Sequence, residues 1–180
     1  IEALIHYRIA QEKTIERVHE VTLPTEYGEF RLCMYKNRVS GHVHMALVKG
    51  EVDAGEPVLV RVHLADQLAD GLPVETRMFG WPLRDALQRI AEDGCGVAII
   101  LRRHESDEEL LARVQQLDFT GQNERREDTQ QPEDLRTYGV GALILKDLGV
   151  SKMRVLSAPK KFHAMGGFDL EVVEYVWDKG

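Results

Sequence analysis

The run Asp134–Lys161, DLRTYGVGALILKDLGVSKMRVLSAPKK, passes from helix to strand through one short connection. Pro132 precedes it, and its fixed φ suits a helix entry. Leu135, Tyr138, Ala142, Leu145 and Leu148 then recur at three- and four-residue steps, the spacing of one apolar helix face. Gly149 follows as the helix end. Met153–Ser157 reads as a short strand, and Ala158-Pro159-Lys160-Lys161 as a basic loop at its carboxyl end. In an α/β sheet, ligands bind at that end of the strands. A helix packed on a sheet is therefore required.

The rest of the chain supplies that sheet. Pro57–His63 and Val97–Arg102 are apolar runs of strand length, read as strands buried on both faces. Upstream, Val18–Leu23 and Phe30–Tyr35 flank the turn residues 24–28, and His42–Gly50 reads as a further strand. Pro82 opens a helix whose inner face is Leu83, Leu87 and Ile90, and Gly94 closes it. Glu108–Leu117 reads as an amphipathic helix with Leu110, Leu111, Val114 and Leu117 on its apolar side. Gly121–Gln131 is polar and reads as a loop, and Leu170–Val176 as a final strand. The fold class is α/β: a mixed sheet, several strands antiparallel, with three or more flanking helices.

A chain of 180 residues, 43% of them hydrophobic, has enough apolar surface for one substantial core. No apolar run approaches the roughly 20 residues needed to span a bilayer, and the start lacks the basic and apolar blocks of a secretory signal. Cys33 and Cys95 stand far apart with no metal-type spacing, which fits a reduced, cytoplasmic protein. Between His104 and Asp134 acids outnumber bases ten to three, which accounts for the whole formal charge of -7. No dense basic stripe is present to track phosphates, so nucleic-acid binding is disfavoured. His42 and His44 share a strand face at two-residue spacing, with no third ligand near them in sequence. Strand pairing or hydrogen bonding is expected of them, rather than metal binding.

Several of these segments together carry a resemblance. Asp134, Arg136 and Tyr138, Gly141-Ala142-Leu143-Ile144-Leu145 and Leu148-Gly149-Val150 resemble the C-terminal signature of the GTP cyclohydrolase II family, zinc enzymes that open riboflavin biosynthesis. Leu23-Pro24-Thr25, Tyr27-Gly28 and Phe30 are similar to its first hairpin, the strand His44–Gly50 to its H-x-A-L-V-x-G, and Pro57–His63 to its P-V-L-x-R-V-H. The resemblance covers about Ile15 to Trp177. Asp134 and Arg136 fall where the family keeps a general base and an arginine nucleophile. Arg61, Lys160 and Lys161 are the remaining candidates for a small phosphate-binding remnant. Ile1–Ile9 is similar to the closing helix of 3,4-dihydroxy-2-butanone 4-phosphate synthase, which precedes the cyclohydrolase half in fused bifunctional proteins.

The chain departs from the family where chemistry is expected. The resemblance implies a zinc held by three cysteines, the first just after R-V-H and the other two ten residues on as C-x-C. At these positions stand Asp66, Arg77 and Phe79. A guanidinium is always charged and a phenyl ring has no donor atom, so neither ligates zinc. After Val97–Arg102 the family places a Glu that reads guanine and an Arg that holds phosphate. Here Glu105 aligns with the first, and Asp107 replaces the second.

The expectation is therefore a zinc-less, non-catalytic GTP cyclohydrolase II-like domain, residues 15–180. Residues 1–14 are its helix and linker from an upstream synthase domain in the same chain. The chain begins at Ile1, which fits a piece of a longer protein. The role expected is structural or regulatory, as a homodimer, with weak nucleotide or phosphate binding, no cofactor of its own and no membrane partner. The alternative is an active GTP cyclohydrolase or other nucleotide hydrolase using Asp134 and Arg136, with any metal brought in by Asp66 and His63.

Overall fold

The computed structural model describes residues 14–73, 81–116, 132–158 and 168–177, giving the backbone alone for 132–136. Seven strands among the described residues form one sheet: β1 Ile15–Thr25, β2 Gly28–Asn37, β3 Val43–Lys49, β4 Val58–Leu64, β5 Gly96–Leu101, β6 Lys152–Leu156 and β7 Glu171–Val176. Four helices accompany them among the described residues: α1 Gln67–Gly71, α2 Leu83–Asp93, α3 Asp107–Gln115 and α4 Pro132–Asp147. The sheet order is β1-β2-β3-β5-β4-β6-β7. β1, β2, β3 and β5 pair antiparallel in succession. β5, β4, β6 and β7 run parallel. The mixed α/β sheet expected from the sequence is what forms.

Alternation along the central strands explains the two cores. Val58, Val60 and Val62 of β4 and Val97, Ile99 and Leu101 of β5 pack on one face against Ala142, Ile144, Leu145 and Leu148 of α4. Leu59 of β4 and Ala98 and Ile100 of β5 point to the other face, where Ala86 and Ile90 of α2 meet Phe30, Leu47 and Leu156. A strand covered on both faces has no solvent side, so β4 and β5 read as continuous apolar runs. Val58 through His63 and all of β5 are buried. α2 and α4 both end on a glycine in the left-handed region: φ is +84° at Gly94 and at Gly149. A Cβ would strain either position.

The β1–β2 turn is tighter than the sequence suggests. Thr25 pairs with Gly28, leaving only Glu26 and Tyr27 as the turn. The Thr25 hydroxyl accepts from the Tyr27 amide at 3.1 Å and donates to the Gly28 carbonyl at 2.7 Å.

Two elements leave apolar side chains exposed. β1 is exposed along most of its length, Val18 and Val21 included, because it is the sheet edge. α3 carries no buried residue, and Leu111 and Val114 are exposed. Its formation is explained by local chemistry instead. The Ser106 hydroxyl accepts from the Glu109 amide, and the Glu109 carboxylate accepts from the Ser106 amide, a reciprocal cap worth about 1 kcal/mol.

Candidate functional site

The carboxyl ends of the parallel strands β4, β5 and β6 lie side by side, and the charged residues after them converge. β4 runs out through His63 and Leu64 to Asp66, the N-cap of α1. One Asp66 oxygen, Oδ1, accepts from the amides of Leu68 and Ala69 at 2.9 and 3.1 Å. The other, Oδ2, accepts from the guanidinium of Arg113 on α3. Arg113 also grips Glu105, in the loop after β5: Nη2 donates to Oε2 at 3.0 Å and Nε lies 2.9 Å from Oε1. Arg103 stands 3.8 Å from the same carboxylate. Burial works to raise the Asp66 pKa, but the Arg113 guanidinium and the α1 amides outweigh it and hold the carboxyl below its ordinary range.

A second arrangement sits on the inner face of β4. His63 is buried, and its Nε2 lies 2.8 and 3.0 Å from the two Asp70 oxygens. Asp70 Oδ2 accepts from the Asp66 amide at 2.9 Å, so α1 folds back on the strand that precedes it. Two residues earlier, Arg61 is also buried. Nη1 donates to the Leu156 carbonyl at 3.0 Å and Nη2 to the Trp81 carbonyl at 2.9 Å. Desolvation pulls the guanidinium pKa down to about 10. Arg61 thus ties β4 to the end of β6 and the start of α2.

His44 on β3 faces the same end of the sheet. It is 4% exposed, and its Nδ1 accepts from the Arg102 amide at 3.0 Å, closing the exit of β5. Burial, then His42 and Arg102, push its pKa down to about 4, so the ring is neutral. The hydrogen-bonding role expected of this residue is the one it has. His42 is exposed and lies just before β3.

Of the residues singled out from the sequence, Asp66, Glu105, Arg61 and His63 come together at this edge. Asp134 and Arg136 fall within the first five residues of α4, with side chains outside the described residues. Arg77, Phe79, Lys160 and Lys161 lie outside the described residues altogether. Sequence reading missed Asp70 and Arg113. Asp70 is four residues after Asp66, one helical turn on the helix that Asp66 caps, and that spacing is the signal. Arg113 is the one base among the acids of α3, with only distance in sequence hiding its partners.

The sequence profile described as GTP cyclohydrolase II matches residues 16–177. The chain belongs to the GTP cyclohydrolase II family. A 3,4-dihydroxy-2-butanone 4-phosphate synthase of Pseudomonas syringae pv. tomato is 46% identical over 174 residues, 96% of this chain and 46% of that protein. A riboflavin biosynthesis protein RibBA of Bacillus cereus is 40% identical over 181 residues, 98% of this chain and 46% of that protein. Among solved structures, RibBX of A. baumannii, described as a two-domain 3,4-dihydroxy-2-butanone 4-phosphate synthase, superposes with a TM-score of 0.63 at 35% identity. That match covers 97% of this chain and 44% of RibBX. The chain thus spans about half the length of these three relatives, which are named for riboflavin biosynthesis or for the synthase.

For this member of the GTP cyclohydrolase II family, Asp66 is the one of the three positions where the resemblance expects zinc ligands that lies among the described residues. Both Asp66 oxygens are committed, one to two amides and one to a guanidinium. Arg77 and Phe79 bring no ligand atom. Among the described residues no group of three or more His, Cys, Asp or Glu is placed to hold a metal ion.

Cys33 and Cys95 are both free. Among the described residues no helix is long and apolar enough to cross a membrane.

Proposed function

We propose that this chain is the cyclohydrolase-like half of a longer riboflavin-biosynthesis protein whose other half is 3,4-dihydroxy-2-butanone 4-phosphate synthase. This half is non-catalytic and acts as a structural or regulatory partner of the synthase within a cytoplasmic homodimer. One observation carries the reading. The carboxylate at the first metal-ligand position caps a helix and pairs with Arg113, while the other two positions hold Arg77 and Phe79. Opening the guanine imidazole ring needs an activated water, and thiolate-bound zinc is the group that would supply it in this family. The relatives' names support the rest: two are called synthases, and one of those is a two-domain protein.

Vestigial phosphate or nucleotide binding falls to Lys160 and Lys161. Arg61 contributes little to it, with two of its nitrogens spent on carbonyls. Asp134 and Arg136 keep the family's positions without the metal that their chemistry serves.

The test is GTP turnover by the purified intact protein, with elemental analysis of the same sample. We expect no formamidopyrimidine product and no stoichiometric zinc. Turnover abolished by Arg136→Ala, or one zinc per chain retained through dialysis against a mild chelator, overturns the non-catalytic reading. For the role itself, removing residues 14–180 from the intact protein should lower synthase activity, solubility or melting temperature. An unaltered truncated synthase refutes that role.

A further inference from the structure

α3 presents an inconsistency in how it is held. It lies over the carboxyl ends of β4 and β5, yet none of its residues is buried, and Leu111 and Val114 face solvent. Hydrophobic burial, the usual fastening for a surface helix, is nearly absent. Leu110 is only half-buried, and among the described residues Arg113 is the α3 side chain that bridges to the residues after β4 and β5. Arg113 reaches the part-buried carboxylate of Asp66 after β4 and that of Glu105 after β5. Two carboxylates that meet one guanidinium repel each other when it is removed, and partial burial keeps water from screening them fully. A planar guanidinium can engage both at once, whereas an ammonium is a point charge.

We propose that Arg113 is an internal cation that locks α3 over the ends of β4 and β5, paired with Asp66, the first of the three residues at which the resemblance expects metal ligands. The chain thereby supplies its own positive charge to Asp66 and Glu105, and closes the strand ends with a helix. This goes beyond the proposed function and stands without it. A wild-type protein that turned over GTP would leave the fastening of α3 unchanged.

Hydrogen exchange followed by mass spectrometry on the intact protein tests the lock. Peptides over 107–115 report α3, and peptides over 96–101 report β5. Charge-assisted hydrogen bonds are strong enough that Arg113→Met should speed exchange of α3 about 10-fold or more, with β5 unchanged. Asp66→Asn removes the charge while keeping an oxygen for the Leu68 and Ala69 amides, so it should loosen α3 without fraying α1. Glu105→Gln serves as a second route to the same readout should Arg113→Met fold poorly. Because Asp66 acts on α3 through Arg113, the double variant Asp66→Asn, Arg113→Met should open α3 no faster than Arg113→Met alone. Unchanged α3 protection in Arg113→Met overturns the proposal, as do fully additive effects in the double variant.

Discussion

Acidification from pH 7 to pH 5 should weaken this fold through His44, and the size of the effect follows from its surroundings. The ring is buried, and Nδ1 uses its lone pair to accept the Arg102 amide at 3.0 Å. A proton on Nδ1 turns the acceptor into a donor facing another donor, in a site with the Arg102 charge nearby. The folded-state pKa is about 4, against 6.5 when the ring is exposed. The unfolded chain therefore binds the proton first, and stability falls as pH drops from about 6.5 to about 4. The loss comes to about 2 kcal/mol at pH 5 and about 3 kcal/mol once pH is below 4. Asp66, Glu20, Glu26 and Glu109 have lowered carboxyl pKa values. Their stabilisation is lost only below about pH 4.5, where exposed carboxylates titrate. Urea unfolding at pH 7 and pH 5 isolates the histidine when wild type is compared with His44→Asn, whose amide oxygen can take the Arg102 N–H without titrating. The variant should lose about 2 kcal/mol less than wild type over that interval. Equal losses in the two proteins refute the reasoning.

Two packing predictions accompany it. A Cβ built on Gly96 meets the Leu59 carbonyl and Ile90 Cγ2 at 2.8 Å each, so Gly96→Ala should cost about 1–3 kcal/mol in a urea melt; an unchanged midpoint would show that α2 can back away from the sheet. Tyr35 is fully buried and its hydroxyl donates to Asp147 at 2.6 Å, so Tyr35→Phe should cost about 1.5 kcal/mol. Asp147→Asn in the Tyr35→Phe background should then cost less than in wild type, and a double-mutant cycle with no coupling counts against the bond.

How far the sequence could be read depended on the kind of force involved. β4 and β5 were legible because burial on both faces leaves a continuous apolar run, and α2 because proline and glycine mark its ends. α3 misled for a plain reason: Leu111 and Val114 repeat at the helical interval of a buried face, but periodicity does not say whether another layer arrives to cover them. At the site, Asp66, Arg77 and Phe79 were visible residue by residue where the resemblance expects metal ligands, since side-chain chemistry needs no coordinates. The partner of Asp66 was not. Arg113 is 47 residues away, and only the parallel pairing of β4 with β5 brings the loops after them together.

α4 ends on an acid, and that has a consequence for how the molecule comes apart. A carboxylate in the last turn of a helix faces the negative end of the helix dipole and disfavours that turn on its own. Asp147 is offset from outside: Arg17 of β1 donates to it at 2.7 and 3.0 Å, and Tyr35 of β2 at 2.6 Å. Arg17 also reaches the Asp147 main-chain carbonyl at 3.4 Å, capping the helix from the neighbouring sheet. These bonds couple the hairpin edge to the helix end. Peeling away β1 strips α4 of its cap and leaves its terminal charge opposed, so the amides of β1 and those of the final turn of α4 should exchange at one common rate. A protease that captures the open hairpin would thereby also capture a helix with its last turn undone.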